Sequence, residues 1–134
     1  MKRPLLFAAL LLVPGLALAQ TASSTKLHVG VRDDAKLGAF LTGFSGKTLY
    51  TYKKDTAGVT NCYAVCAENW PPVLVEAVPS VSLKAKGEFS LVERKDGAKQ
   101  LAYNGMPLYY WKRDRKAGDT LGQGLNDLWS VVKP

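Results

Sequence analysis

Gly46-Lys47-Thr48-Leu49-Tyr50-Thr51-Tyr52-Lys53-Lys54-Asp55 is answered later in the chain by Gly105-Met106-Pro107-Leu108-Tyr109-Tyr110-Trp111-Lys112-Arg113-Asp114. The shift is 59 residues. It holds outside the window, pairing Gly38 with Gly97, Ala39 with Ala98, Trp70 with Trp129 and Val73 with Val132. Each Asp precedes its Trp by 15 residues. Chance rarely keeps a Trp in register over such a distance, so the chain reads as an internal repeat.

Around these strings the pattern is that of strands. Leu27, Val29 and Val31 alternate with polar residues or Gly, and Phe40, Thr42 and Phe44 alternate with Leu41 and Gly43. Leu49 to Tyr52 is rich in β-formers. In the second copy the expected strands are Glu88 to Glu93, Gln100 to Tyr103 and Leu108 to Trp111. Lys95-Asp96-Gly97 and Asn104-Gly105 supply the turns, because these residues tolerate positive φ. Trp129 to Val132 reads as a closing strand. Its counterpart, Trp70-Pro71-Pro72-Val73-Leu74-Val75, starts as an edge or loop because proline has no N–H for a ladder. Only Asn61 to Asn69 has room for a short helix. The expected fold is all-β: one small domain, 27–134, of two pseudo-equivalent β-hairpin repeats at about 37–75 and about 96–134. At most one short helix lies near the Cys pair. A copy of that size is marginal alone, so the two are expected to share a core.

The N-terminus carries an export signature. Met1-Lys2-Arg3 is basic, Leu5 to Val13 is apolar, Pro14-Gly15 breaks the run, and Ala17-Leu18-Ala19 fits the small-x-small cleavage rule. Residues 1–19 therefore read as a signal peptide cut between Ala19 and Gln20, and 20–26 as a polar leader. The apolar run is too short to span a membrane, and no later one is long enough. Cleavage takes the net charge from +7 to +5. The expected product is soluble, periplasmic or secreted, in an oxidising compartment.

Composition excludes several classes. Of 134 residues, 47% are apolar and 22% charged, which rules out a disordered or collagen-like chain. One His and two Cys cannot build a zinc ribbon or a multi-His cage. No nucleophile elbow or HExxH string is present, and His28 has no marked partner, so a hydrolase is disfavoured.

The string tyrosine-x-aromatic-x-x-aspartate occurs as Tyr50 to Asp55 and as Tyr109 to Asp114. With Cys62-Tyr63-Ala64-Val65-Cys66 and Trp70-Pro71-Pro72, it resembles the bacterial secreted-repeat family of predicted lipoproteins with a Yx(FWY)xxD motif. The resemblance covers roughly 37–132. It implies a secreted or lipid-anchored protein whose function is not established. No Cys follows the expected cleavage site, so no lipid anchor is expected here.

Cys62 and Cys66 stand four residues apart, within disulfide reach on one helical turn. Read with the 59-residue shift they fall on Leu121 and Leu125, which favours a packing role and a structural disulfide. The alternative is a periplasmic copper or redox accessory protein using the same pair, with His28 or Met106, since Cu(I) prefers thiolates. Otherwise no cofactor is expected. Asp55 and Asp114 each open a loop, and one role used twice fits Asx-type capping better than a catalytic couple. Tyr50, Tyr109, Trp70 and Trp129 are expected in the core, Tyr52, Tyr110 and Trp111 nearer the surface. Lys112, Arg113, Arg115 and Lys116 form the densest basic run and point to an anionic envelope component. The plainer reading is a charged edge that prevents strand pairing. Nucleic acid is not expected in an exported chain without a reading motif. The leading functional expectation is a non-enzymatic binding or structural module of the cell envelope.

Overall fold

A computed structural model describes residues 26–134 and, before them, only Pro4, Ala9, Leu11, Leu12, Pro14 and Gly15. The expected cleavage point at Ala19-Gln20 and nearly all of the signal and leader lie outside the described residues.

The chain is mostly strand. Each copy opens with an antiparallel hairpin. In the first, β1 (His28–Asp34) pairs with β2 (Gly38–Thr42), from Gly30↔Thr42 to Asp34↔Gly38. A short β4 (Ser80–Val81) from the connecting segment adds in parallel to β1. In the second copy β5 (Phe89–Glu93) pairs with β6 (Lys99–Tyr103), and β7 (Met106–Pro107) returns along β6. The turn into β7 is Asn104-Gly105, at φ 50° and 83°, which is the two-residue turn that needs positive φ at both positions. β3 is Tyr50–Tyr52, β8 is Trp129–Val131, and the one α-helix among the described residues, α1, is Val65–Asn69.

The copies exchange their closing segments. β3 of the first pairs with β8 of the second, Tyr50↔Val131 and Tyr52↔Trp129. The Leu41 N–H donates to the Val132 carbonyl at 2.9 Å, and the Leu101 N–H to the Val73 carbonyl at 2.8 Å. Trp70 to Val75 therefore runs along the second hairpin and Trp129 to Val132 along the first. At the centre Tyr50 and Tyr109 trade backbone bonds, each N–H donating to the other's carbonyl at 2.9 Å. That reciprocity is the mark of a two-fold relation, here inside one chain.

The exchange corrects one expected strand. Leu108 to Trp111 forms no regular ladder, and Tyr109 makes only isolated bridges, to Tyr50 and Pro72. The bridge to Pro72 is the counterpart of Tyr50↔Val131. The ladder cannot extend there because Pro71 and Pro72 have no N–H to donate.

Alternation along the central strands sorts side chains by chemistry. One face is largely aliphatic: Val29, Leu41, Leu49, Val73, Leu101, Leu108 and Val132, with Tyr103. The other is largely aromatic: Phe40, Tyr50, Trp70, Tyr109 and Trp129, with Cys62 and Val131. Both faces are covered, so Phe40, Leu41 and Thr42 are all buried and β2 does not alternate between core and water. Each fully buried large apolar side chain contributes about 1.5–3 kcal/mol.

The register between the copies is not gapless. The spacing is 60 at Leu41 and Leu101, returns to 59 at Leu49 and Leu108, and widens again after the Asp. Asp55 Oδ1 accepts from the Asn61 N–H, whereas Asp114 Oδ1 accepts from the Leu121 N–H. Cys62 therefore corresponds to Gly122, not to Leu121, which is 62% exposed. A Cβ on Gly122 would lie 2.7 Å from the Trp70 ring, so the second copy has no room for a side chain there.

Candidate functional site

The two repeated motifs meet on the aromatic face. Tyr50, on β3, donates its hydroxyl to Asp114 Oδ2 at 2.6 Å. Tyr109 donates to Asp55 Oδ2, also at 2.6 Å. Each tyrosine thus bonds the aspartate of the other copy. The remaining carboxylate oxygen closes its own loop, on the Asn61 N–H at 2.7 Å and the Leu121 N–H at 2.9 Å. All four side chains are buried. Burial raises both carboxyls above their ordinary value, and the tyrosine and backbone donors hold them down in part. Burial, and then the bonded carboxylate, pushes both phenols well up, out of any working range. A pair of acids locked this way has no free oxygen facing water.

Only one of the two pairs is extended inward. Arg94 is 3% exposed. Its guanidinium donates to Gln100 Oε1 at 2.7 Å, the Cys62 carbonyl at 2.8 Å and Thr60 Oγ1 at 3.3 Å. It also lies over the Tyr63 ring, 4.5 Å from the centroid. The Thr60 hydroxyl bonds the Tyr109 oxygen. Because Tyr109 gives its proton to Asp55, Thr60 is the donor in that bond. All donors then point one way, from Arg94 through Thr60 and Tyr109 to Asp55. Such a chain polarises each member, so a buried cation and a buried carboxylate are joined through two hydroxyls. In the first copy Asp34 and Phe40 stand where the second has Arg94 and Gln100, and the Tyr50 oxygen accepts only the Gly122 N–H at 3.2 Å.

Four rings stack in a column: Trp111, Trp70, Trp129, Tyr52. Trp70 and Trp129 are 3.8 Å apart and 2° from parallel. Trp111 lies 4.2 Å from Trp70, and Tyr52 lies 4.3 Å from Trp129. The inner pair is buried and the outer pair half-buried. Tyr50 and Tyr109 pack edge-on against Trp70 and Trp129, both at 5.3 Å. Tyr110 is half-buried on the opposite, aliphatic face.

Cys62 and Cys66 are joined by a disulfide, with Cα atoms 5.2 Å apart. Cys66 is in α1; Cys62 precedes the helix and is fully buried. His28 Nδ1 bonds Ser80 at 2.9 Å on the far hairpin, and Met106 belongs to β7. Among the described residues no three of His, Cys, Asp and Glu group as metal ligands.

The basic run lies in the loop after the second motif. Lys112, Arg113, Arg115 and Lys116 are exposed, while Asp114 between them turns into the core. Among the described residues, only Lys116 of the four has an ion pair, to Asp119 at 3.3 Å. Asp119 also accepts the Arg115 N–H at 2.9 Å, which holds its carboxyl below the ordinary value and shapes the loop.

A family model described as a secreted repeat of unknown function matches twice, over residues 31–74 and 90–133. The chain belongs to this family. The matched segments begin inside β1 and β5, so each secreted repeat takes in the first strand of its hairpin, ahead of the expected starts near 37 and 96. No curated protein and no solved structure matches the chain. No helix among the described residues is long and apolar enough to cross a membrane. Reading the repeats from the sequence missed Arg94, Thr60 and Gln100. The only signal for them was a departure from the repeat: a cation and an amide where the other copy has Asp34 and Phe40.

Proposed function

We propose that this secreted repeat is a non-enzymatic binding module that holds an anionic polymer of the cell envelope on its basic loop. The observation that carries the reading is the withdrawal of Asp114. Its carboxylate is spent on Tyr50 and Leu121, so the four neighbouring cations face water with no acid of their own run among them. Summed like charges raise the local potential and attract a polyanion. The first motif repeats the device on a smaller scale, with Lys53 and Lys54 exposed and Asp55 buried. Export by cleavage at Ala19-Gln20 would place the module in the periplasm or outside the cell, away from nucleic acid. The copper alternative needs Cys62 and Cys66 as thiolates, and therefore a reduced pair.

The test is retention on an immobilised teichoic-type polymer at low and high salt, with anionic liposomes as the comparison surface. Exposed charges are screened over about 8 Å at physiological salt, so retention should fall as salt rises. Replacing Lys112, Arg113, Arg115 and Lys116 with Gln should abolish it and leave the melting temperature nearly unchanged. The run lies in a loop and not on an edge strand, so equal retention of wild type and variant would reduce it to a solvated loop with no polyanion bound.

A further inference from the structure

The first hairpin carries one residue more than the second at its tip. Gly43-Phe44 stands where the second copy has Tyr103 alone, between positions whose register is set by Leu41 with Leu101 and Leu49 with Leu108. Tyr103 is buried, its hydroxyl taking the Gly87 N–H. The extra residue instead winds the first tip into a 3-10 turn, Phe44–Gly46, and leaves Phe44 48% exposed. The Phe44 N–H donates to the Tyr110 hydroxyl at 3.0 Å, which ties the turn to the second motif. Gly43 permits that approach, since a Cβ there would lie 2.6 Å from the Tyr110 oxygen.

The result is an open cleft of about 260 Å³ lined by Phe44, Lys47, Pro71, Tyr110, Trp111 and Lys112. Trp111 is held against Trp70, so its ring is a fixed wall. Neither lysine has a carboxylate within 4.0 Å among the described residues. At the pseudo-equivalent place stand Met106 for Lys47, Thr51 for Tyr110, Tyr52 for Trp111 and Ser130 for Pro71, with no counterpart of the projecting Phe44. The cleft is therefore built from residues at which the copies differ.

We propose that this cleft binds one residue of a polyuronate, a polymer of carboxylate-bearing sugars. The inference rests on the reading of the basic loop as a polyanion surface and adds the sugar ring to it. A pyranose presents a face of C–H groups, apolar and slightly positive, which suits the negative face of an aromatic ring. Its carboxylate at the ring edge suits the two ammonium groups at the border. Inorganic phosphate alone would leave the aromatic walls unused. Lys112 belongs to both the cleft and the basic run, so a chain with a carboxylate on every sugar would continue from the cleft along Arg113, Arg115 and Lys116.

The probes are trigalacturonate, its neutral methyl ester and dextran sulfate, which has charge without carboxylate. Binding of the first two is followed by tryptophan fluorescence and calorimetry, and dextran sulfate by salt-dependent retention. Wild type should bind trigalacturonate and not the ester. Phe44→Ala and Lys47→Gln should each weaken trigalacturonate by about tenfold or more while changing dextran sulfate retention by less than about twofold. Phe44 is half exposed, so its variant should keep the wild-type near-ultraviolet dichroism. The double variant Arg113→Gln/Arg115→Gln should lose dextran sulfate. Unchanged trigalacturonate affinity in both cleft variants, equal affinity for the ester, or no binding by wild type would overturn the cleft proposal with the basic-loop reading intact. Wild type that ignores dextran sulfate would overturn the basic-loop reading itself.

Discussion

The Tyr109 hydroxyl bonds Asp55 Oδ2 at 2.6 Å across the boundary between two copies of one sequence, and Tyr50 returns the same bond to Asp114. The motif that marks each copy is therefore a latch on the other. Neither residue completes its contacts within its own repeat.

Removing a hydroxyl leaves a buried carboxylate short of a donor. Tyr109→Phe and Tyr50→Phe should each cost about 1.5–3 kcal/mol, the range for hydrogen bonds to charged groups. The loss should depend on pH. Both carboxyls already sit above their ordinary value through burial, and the lost hydroxyl had been lowering them. A raised carboxyl pKa means stability is fullest below the unfolded value and declines as pH rises through the folded one. Urea midpoints should therefore fall further behind wild type at pH 7 than at about pH 4. A loss independent of pH would mean that the hydroxyls do not bond charged partners.

Because the closing segments are exchanged, neither copy holds a complete sheet. Residues 27–76 and 88–134 made separately should show no folded monomer by near-ultraviolet dichroism, and mixing them should restore the spectrum. A folded monomer from either piece would show that its own closing segment can take the partner's place.

Trp70 and Trp129 are 6% and 3% exposed and stacked on each other. Either one changed to Ala should cost about 3–5 kcal/mol. Since the two rings touch, the double variant should lose less than the sum of the single losses. Chemical denaturation of the four proteins of the cycle measures this, and strict additivity would deny the coupling.

Arg94 serves Gln100 and Thr60 with one terminal nitrogen and the Cys62 carbonyl with the other, and a lysine has one nitrogen for all three. Arg94→Lys should leave at least one buried acceptor unpaired, costing about 1–3 kcal/mol. Thermal unfolding reads the difference, and an unchanged midpoint would show that the guanidinium fork is dispensable.

The disulfide closes a very short loop, so reduction should cost only about 2 kcal/mol in the chain-entropy view. Denaturation midpoints with and without reductant test this. The unreduced protein should also weigh two hydrogens less than its thiol form.

The repeat, the strand-rich class, the Asn104-Gly105 turn and the burial of Tyr50, Tyr109, Trp70 and Trp129 follow from the sequence alone. Each depends on local alternation or on residues kept at fixed spacing, and such signals survive without knowing what packs against what. Among the described residues the α-helix, Val65–Asn69, falls within Asn61 to Asn69, the stretch with room for it. What the linear chain does not carry is which copy supplies the partner. Tyr50 bonding Asp114, and not the Asp55 five residues away, depends on the exchange of closing segments. That exchange is chosen by the summed burial of two hydrophobic faces, a property of no single window. The same holds for the 60-residue spacing at Cys62, where one extra loop residue is invisible until Asn61 and Leu121 are seen on equivalent carboxylates. Arg94 reads as an ordinary surface charge beside a turn. Tertiary packing buries it beneath Tyr63, because only there do Gln100, Thr60 and a free carbonyl converge to satisfy a guanidinium away from water.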